Sequence, residues 1–278
     1  DSLAEVKLGP NVAYLVGHNT VRSNIMGLED RLPTPAELTA MKAQIDTAMQ
    51  AGAFGISTGL KYLPGAFSTV DEVIALSKVA ASYGGIYTSH LREEGLGLIE
   101  GVQEAIQIAQ EATIPVVLTH HKAIGLPMWG ASEKTLAMVD SARAIGLDVM
   151  MDQYPYTASQ TGISVLIPAW AMEGGIEKYR ARLNDKKTRS DIKAGVEFNI
   201  LNDRGGGDLN RVQFGRVTWK PELEGKTLKD WAEMEGLKPT VSTGAELVMK
   251  AQENGGASCI FYVISEEDVQ RIMQHPMA

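Results

Sequence analysis

The chain contains very little cysteine: Cys259 is the single one among its 278 residues. One thiol cannot form a disulfide within the chain, and it cannot build a structural zinc site made of several cysteines. A chain without disulfides is compatible with a reducing compartment, so we expect a cytoplasmic location.

Other features are also absent. No apolar run approaches the roughly 20 residues that cross a bilayer, so we expect no membrane partner. The net charge is −8, with 34 acidic and 26 basic residues and no dense basic patch, which argues against a nucleic-acid partner. No glycine-rich phosphate-binding motif follows a strand or opens a helix, which argues against a nucleotide-binding sheet. The sequence leaves the oligomeric state open.

What is present is an alternation of short apolar runs with longer amphipathic ones. The short runs predict strands that begin near residues 11, 53, 85, 115 and 148, and the longer ones predict helices between them. Pro35, between Thr34 and Glu37, predicts the start of one helix with a capping box. Ser132 and Ser265 are expected to cap two others. This rhythm predicts an α/β fold with a parallel sheet, and both a closed β/α barrel and an open doubly wound sheet fit it.

The rhythm changes after the fifth predicted strand. We expect residues 1–172 to form the central βα units of the barrel. Residues 173–211 are rich in charge and glycine and predict an excursion of helix and loop. Residues 212–278 contain the strand candidates VQFGRV and SCIFYVIS, and we expect them to form the C-terminal βα part of the barrel region.

Three predicted strands end in segments that contain histidine, charged residues or tyrosine, namely SHLREEG, THHKAIG and DQYPYTAS. Functional residues of parallel α/β proteins lie at the carboxyl ends of strands. Because side chains alternate along a strand, His90 shares a face with Arg92. His120 likewise shares a face with Lys122, whereas His121 points the other way. His120 is therefore the better site candidate, and His121 is expected to orient or pack.

Two histidines at matching depth on adjacent strands can share one metal ion. Zinc needs three or four ligands, however, and the pattern supplies only His90 and His120. The alternative is that both are buried polar residues at the rim of a barrel. From the residues alone, both interpretations remain open.

The cations and tyrosines at these strand ends also have two interpretations. Arg92 and Lys122 could neutralise a substrate carboxylate, or they could form salt bridges with nearby glutamates. Tyr154 could donate a hydrogen bond to an oxyanion, but it could equally pack the rim. Tyr62 could line a pocket, but its segment could equally be an ordinary βα loop.

Taken together, these segments resemble the D-aminoacylase (N-acyl-D-amino-acid deacylase) family of the metal-dependent amidohydrolase superfamily. The similarity extends in order over nearly the whole chain, through LVGHNTVR, GAFGISTGLKYLPGAFSTVDEV, YTSHLREEG, VVLTHHKAIG, MMDQYPYTAS and SEEDVQRIMQHP. The resemblance implies a β/α (TIM-type) barrel with a small β-domain. It also implies zinc-dependent hydrolysis of the amide bond of N-acyl-D-amino acids to a carboxylate and a free D-amino acid.

The resemblance also implies roles for individual residues. The histidines that match the family's metal ligands are His90 and His120. The residues that fall where family members approach the substrate are Tyr62, Arg92, Lys122 and Tyr154.

The sequence departs from the family's pattern at both ends. It has no His-x-His pair, no cysteine before the LVGH segment and no GSDG-like motif after the RIMQHP segment. We therefore expect a barrel that lacks its first strands and its last strand, with the catalytic aspartate beyond Ala278. If the 278 residues are the entire polypeptide, we expect negligible hydrolysis of N-acetyl-D-methionine with added zinc.

Two alternatives to this function remain open. One is a related amidohydrolase that acts on a cyclic amide or on an acidic N-acyl-D-amino acid. The other is a non-catalytic fragment or binding protein built on a degenerate barrel.

Overall fold

The predicted parallel sheet is present and contains five strands. A computed structural model of the chain describes residues 9–278, so the first eight residues of the predicted unit 1–172 lie outside the described residues. The strands are β1 (Leu15–Gly17), β2 (Gly55–Gly59), β3 (Ile86–His90), β4 (Val116–Leu118) and β5 (Val149–Met151). They lie in the order β1-β2-β3-β4-β5, and each neighbouring pair is parallel.

This strand order distinguishes the two architectures that the sequence left open. Each strand lies beside the one that precedes it in the chain, and the order does not reverse. An open doubly wound sheet reverses its strand order at a switch point. The five strands therefore do not follow the doubly wound topology, and they form one continuous run of βα units.

Five helices connect these strands, as the amphipathic segments predict. They are α1 (His18–Met26), α2 (Pro35–Gln50), α3 (Val70–Ala81), α4 (Leu98–Ala112) and α5 (Ser132–Ala144). The predicted start of α2 is confirmed. The Thr34 hydroxyl accepts a hydrogen bond from the Glu37 N–H, and the Glu37 carboxylate accepts one from the Thr34 N–H, which forms the expected capping box.

A second unit follows β5 in the chain. Its strands are β6 (Ser159–Gly162), β7 (Val212–Arg216) and β8 (Ser258–Phe261), which form an antiparallel sheet in the order β6-β8-β7. Its helices, together with the last helix of the chain, are α6 (Ile176–Leu183), α7 (Lys186–Asn202), α8 (Leu228–Met234), α9 (Val241–Glu253) and α10 (Glu266–Met273).

The antiparallel sheet corrects the expectation for residues 212–278. Both strand candidates form strands, but they pair with β6 and do not extend the parallel sheet. The physical reason lies in their patterns. In β7, Val212 and Phe214 are buried on either side of a half-buried residue, and in β8, Cys259 and Phe261 alternate in the same way. This is the pattern of an antiparallel sheet with one covered face, whereas central parallel strands are apolar on both faces. The boundaries at 172 and 211 stay predictions.

The two expected serine caps have different outcomes. Ser265 does cap α10, where its hydroxyl accepts a hydrogen bond from the Glu267 N–H. The prediction for Ser132 is wrong, because Ser132 is the first residue of α5 and the capping position is Ala131. The Ser132 hydroxyl donates instead to the buried Asp268 carboxylate on α10, at 2.5 Å. That hydrogen bond ties α5 to α10.

Each sheet has its own hydrophobic core, and the two units meet above the carboxyl ends of β3 and β4. There the Gly125 N–H donates to the Val263 carbonyl oxygen at 2.9 Å. The two units approach so closely that a Cβ atom on Gly125 would lie 2.8 Å from the Asn202 carbonyl oxygen, and one on Gly95 would lie 2.4 Å from a carboxylate oxygen of Asp203. The second unit therefore covers the loops that carry the candidate site residues. Within residues 9–278, no helix has both the length and the apolar character needed to span a bilayer.

A buried charged network joins α1 to α3. The Glu72 carboxylate contacts Nε2 of His18 at 2.8 Å and accepts a hydrogen bond from the guanidinium of Arg22. All three side chains are almost fully buried. Removing one charge from such a group leaves the others buried without compensation.

We expect Glu72→Gln to lower the free energy of unfolding by about 3 kcal/mol, because Arg22 loses its buried counter-charge. Urea denaturation measures this change. The matched control is Glu111→Gln on the exposed face of α4, which should change stability by less than about 0.5 kcal/mol. Equal effects of the two substitutions would contradict a stabilising role for the network.

The same pair of proteins tests the pH dependence. Burial raises the pKa of Glu72, but the hydrogen bond from His18 and the charge of Arg22 outweigh burial and hold the pKa below its usual 4.5. The stability that Glu72 contributes is therefore fully present above about pH 4.5 and is lost as the pH falls through the lower folded-state pKa. The stability difference between wild type and Glu72→Gln should stay constant from pH 7 to pH 5 and shrink at lower pH. A difference that grows on acidification would have the wrong sign.

Candidate metal centre

The two histidines expected to bind metal lie side by side at the carboxyl edge of the parallel sheet. His90 is the last residue of β3, and His120 follows β4 by two residues. Nδ1 of His90 and Nε2 of His120 are 2.8 Å apart, and the ring centroids are 4.6 Å apart. The sheet thus brings together two residues that are far apart in the chain.

The backbone at His120 explains why the two adjacent histidines diverge. His120 has a φ of 44°, in the left-handed region that few residues other than glycine adopt. Its N–H donates to a carboxylate oxygen of Asp152, just after β5, at 2.5 Å. The His121 side chain is buried in the opposite direction, where Nε2 lies 2.8 Å from the Thr135 hydroxyl on α5. Because β4 ends at Leu118, this local turn, and not strand alternation, separates the two side chains.

Glu94, one of the two glutamates of the SHLREEG segment, completes the cluster. The sequence pattern predicts only salt bridges for these glutamates. The Glu94 carboxylate oxygens lie 3.7 Å from Nε2 of His90 and 3.2 Å from Nδ1 of His120. One donor atom from each of the three residues lies within 4.8 Å of the others. The spacing of four residues between His90 and Glu94 was the available signal. It is a weak one, because Glu94 lies in a loop and periodicity does not fix its direction.

The chemistry of these donors fits a divalent cation. Nε2 of His90 and Oε2 of Glu94 are buried, yet neither has a hydrogen-bond partner among the described residues. Buried polar atoms are normally paired, so an unpaired nitrogen and an unpaired carboxylate oxygen in one cluster indicate a missing ligand. Two imidazoles and a carboxylate are a donor set that zinc and other transition-metal ions accept.

The protonation states support metal binding as well. Burial is the main cause that lowers the pKa of His90 to about 4, so its imidazole is neutral at neutral pH and has a free lone pair. Burial also raises the pKa of Glu94, but the charge of Lys122 and the neighbouring histidines outweigh it and hold the pKa far below the usual value. Glu94 is therefore ionised.

Lys122 connects these ligand candidates to one another. Its Nζ donates to Oε1 of Glu94 at 2.5 Å, and it lies 2.8 Å from both Nδ1 and the carbonyl oxygen of His120. The side chain is almost fully buried. A buried carboxylate needs such a partner, because an isolated buried charge is costly. The predicted cation is thus in the site, and its charge is already compensated by Glu94.

The two tyrosines lie against the histidine pair. The Tyr62 ring is 4.7 Å from the His90 ring, and its hydroxyl is 2.9 Å from the Thr161 hydroxyl on β6. The Tyr154 ring is 6.3 Å from the His120 ring. Burial is the main cause that raises the pKa of Tyr154 well above 10, so its hydroxyl stays protonated. Both tyrosines therefore face the cluster.

Arg92 is bound to a glutamate outside the cluster, although it also lines the cavity beside it. Its Nε and Nη2 both donate to the carboxylate of Glu104, each at 2.8 Å, and Nη1 donates to the Ala66 carbonyl oxygen. The Nε–Nη2 edge of the guanidinium is thus occupied by a carboxylate. The alternative interpretation of Arg92 as a salt-bridge partner describes its contacts, with Glu104 as the partner.

A cavity of about 880 Å³ lies beside the cluster, between the loops after β2 and β3 and the second unit. Tyr62 forms part of its wall and also contacts His90. Much of the remaining wall is apolar, with Val165, Ile167 and Phe198 among its residues. Its volume is in the range of small-molecule sites.

No model of a known protein family matches the chain. Three curated relatives from Alcaligenes xylosoxydans xylosoxydans are similar to it. It is 32% identical to an N-acyl-D-glutamate deacylase over 95% of the chain and 45% of the relative, and 30% identical to an N-acyl-D-aspartate deacylase over 99% and 46%. It is also 39% identical to a D-aminoacylase over 58% of the chain and 33% of the relative. The chain thus spans less than half the length of these relatives.

Solved structures give the same result. The chain matches a D-aminoacylase described as defining a subset of amidohydrolases, with a TM-score of 0.74 and 30% identity over 96% of the chain and 46% of that structure. It matches an N-acyl-D-glutamate deacylase from Bordetella bronchiseptica with a TM-score of 0.76 and 30% identity over 99% and 48%. The latter is complexed with zinc and a phosphonate inhibitor, and a further D-aminoacylase structure is described as having a binuclear metal centre. These relatives bind metal ions.

We expect His90→Ala, His120→Ala and Glu94→Gln each to weaken zinc binding by at least about tenfold, because each removes a donor atom from the cluster. Zinc titration of the metal-free protein by calorimetry measures the affinity. The control is His275→Ala, which removes a histidine outside the cluster whose ring hydrogen-bonds with the exposed Asp140 and with the Met277 N–H. Equal zinc affinity in all four variants would contradict the assignment.

Proposed function

Because this chain belongs to the D-aminoacylase family of metal-dependent amidohydrolases, we propose that it contributes to an active site for zinc-dependent hydrolysis of N-acyl-D-amino acids. The products are a carboxylate and a free D-amino acid. The observation that carries the proposal is the cluster of His90, Glu94 and His120, with two buried donor atoms that lack protein partners. We also propose that β1 to β5 form an arc of a β/α barrel, since their continuous parallel order agrees with that architecture.

In this proposal, His90 and His120 hold the zinc ion and Glu94 offers a third donor. Zinc, when bound, lowers the pKa of water and polarises an acyl carbonyl. Lys122 holds Glu94 ionised and fixes its orientation, as partners behind metal ligands generally do. The hydrogen bond from the His120 N–H to Asp152 fixes the turn that presents the His120 ring. These contacts arrange the donors before any ligand arrives.

Tyr154, Tyr62 and Lys122 are the residues that we propose to lie against the substrate. The Tyr154 hydroxyl stays protonated, so it can donate a hydrogen bond to the oxygen that becomes negative when the amide carbon turns tetrahedral. Tyr62 lines the neighbouring cavity and contacts His90, so it can contact a substrate that extends from the cluster into that cavity. We do not propose Arg92 for carboxylate binding, since Glu104 occupies its fork.

A second candidate substrate class comes from the names of the relatives. Two of the three curated relatives reported above are deacylases of an acidic N-acyl-D-amino acid, glutamate or aspartate. An acidic N-acyl-D-amino acid is accordingly an alternative to an apolar one.

The test uses the full-length polypeptide that contains this sequence. The zinc-loaded enzyme is assayed with N-acetyl-D-methionine, N-acetyl-D-glutamate, N-acetyl-D-aspartate and their L-isomers. We expect turnover of at least one D-isomer, no comparable turnover of its L-isomer, and loss of activity on removal of zinc. Equal turnover of both isomers, or no turnover of any D-substrate, would exclude the proposed reaction.

Tyr154→Phe should lower kcat by about 100-fold, because it removes one preorganised donor to the developing oxyanion. The matched control is Tyr156→Phe. Tyr156 is the next tyrosine along the chain, its ring lies 6.2 Å from that of Tyr154, and its side chain is exposed. Its kcat should stay within about twofold of wild type. If both substitutions have the same small effect on kcat, Tyr154 does not stabilise the transition state.

A further inference from the structure

The end of α7 brings a second pair of charged residues to the loops that carry the metal cluster. Asp203 and Arg204 follow α7 directly, and their side chains are 9% and 2% exposed. The Asp203 carboxylate lies against Gly95, the residue after Glu94, where a Cβ atom would be 2.4 Å from it. A Cβ atom on Gly125, in the loop after β4, would be 2.9 Å from the backbone oxygen of Asp203. The second unit thus delivers a buried arginine to the rim of the candidate site.

The guanidinium of Arg204 is held in place but is only partly occupied. Its Nη1 donates to the Ser159 hydroxyl at 3.1 Å, and its Cζ lies 5.2 Å from the centre of the Phe261 ring. Nε is 3.5 Å from a carboxylate oxygen of Asp203, without a hydrogen bond between them. Within residues 9–278, the Arg204 side chain makes one hydrogen bond, which goes to Ser159. Arg204 therefore retains donors for a further partner.

The other cations near the site differ from Arg204 in this respect. Arg92 gives both donors of its fork to Glu104, and Lys122 is bound to Glu94. Lys61 donates to both carboxylate oxygens of Glu93, at 2.9 and 3.0 Å. A cation whose N–H donors already bind one carboxylate has few free donors for a second carboxylate. Arg204 is thus the cation at this rim best able to receive a carboxylate.

The unpaired buried atoms are concentrated in the same place. Nine buried side-chain nitrogen and oxygen atoms lack a hydrogen-bond partner among the described residues, and five of them belong to His90, Glu94, Asp203 and Arg204. Unpaired buried polar groups are rare in folded proteins and mark places where another group binds. Asp203, which directly precedes Arg204 in the chain, contacts Gly95 beside Glu94. The arginine therefore lies next to the loop that carries Glu94.

We infer that Arg204 binds a carboxylate of the substrate and so determines which N-acyl amino acids the site accepts. The inference rests on the proposed deacylase function and specifies it further. A carboxylate would accept charge-assisted hydrogen bonds from the free donors of the guanidinium, whose planar fork matches its geometry. The carboxylate is either the α-carboxylate, which every N-acyl-amino acid has, or the side-chain carboxylate of an acidic one. Asp203 acts as a positioning residue, because its carboxylate lies beside Nε and makes no hydrogen bond to Nη2.

The test compares Arg204→Met and Arg204→Lys with wild type in the full-length, zinc-loaded polypeptide. The ligands are N-acetyl-D-methionine, N-acetyl-D-methioninamide and N-acetyl-D-glutamate. If the α-carboxylate is bound, Arg204→Met should lower kcat/KM for both acids by about 100-fold, mostly through KM. The same substitution should change binding of the amide by less than about threefold. Arg204→Lys should recover part of the loss, because it keeps the charge without the fork.

The three ligands distinguish binding of the α-carboxylate from binding of the side-chain carboxylate. A loss confined to N-acetyl-D-glutamate assigns Arg204 to the side-chain carboxylate, and an equal loss for both acids assigns it to the α-carboxylate. A loss of the same size for the acids and the amide would overturn the inference, because it would indicate a merely structural role. Unchanged binding of all three ligands would overturn it too. The control is Arg211→Met, which removes an arginine that stacks on Trp129 in the same segment and should leave all three ligands unaffected.

A binding measurement keeps this test separate from that of the proposed function. Calorimetry of the same ligands with each variant reports recognition of the carboxylate even when nothing is hydrolysed. If wild type binds the acids through Arg204 but hydrolyses no D-substrate, the proposed function fails and the carboxylate site stands. If wild type hydrolyses D-substrates and Arg204→Met binds acid and amide as wild type does, the proposed function stands and this inference fails. Thermal unfolding of each variant shows whether the fold is kept.

Discussion

The buried carboxylate of Glu94 is the constraint on which the rest of the site depends. A buried carboxylate must be compensated, and here a single cation, Lys122, supplies the charge. The same ammonium group contacts His120, so the ion pair also fixes where that imidazole lies. His90 then completes a cluster of three donors whose unpaired atoms point to a metal ion. If Lys122 were lost, the charge, the ligand orientation and the packing of two strand-end loops would change together.

The fold provides this arrangement by placing one unit above another. The parallel sheet brings His90 and His120 to neighbouring positions at its carboxyl edge. The second unit then covers the loops and excludes water from them, which strengthens the electrostatic interactions between the charged groups. Gly95 and Gly125 permit this cover, because side chains there would collide with Asp203 and Asn202. The close approach that buries Glu94 is also the one that brings Arg204 to the site.

Much of this could be predicted from the sequence where the signal is local. The βα rhythm predicted the five parallel strands, and the capping box predicted the start of α2. Glu94 and Arg204 could not be assigned, because each acts through contacts with distant segments and no periodicity fixes the direction of a loop side chain. The antiparallel sheet was missed for a similar reason: alternation was visible in β7 and β8, but their pairing with β6 depends on tertiary packing. At Ser132, the carboxylate of Asp268, 136 residues away, overrides the local capping signal.

The most direct test of the account is zinc K-edge X-ray absorption spectroscopy of the full-length protein loaded with zinc. The account predicts outer-shell multiple scattering from the ring atoms of coordinated imidazoles, and this signal should decrease in His90→Ala and in His120→Ala. It also predicts that the light-atom shell changes in Glu94→Gln, because a carboxylate oxygen is replaced by a weaker ligand. A coordination shell that is identical in wild type and all three variants would contradict it, since the metal would then lie elsewhere.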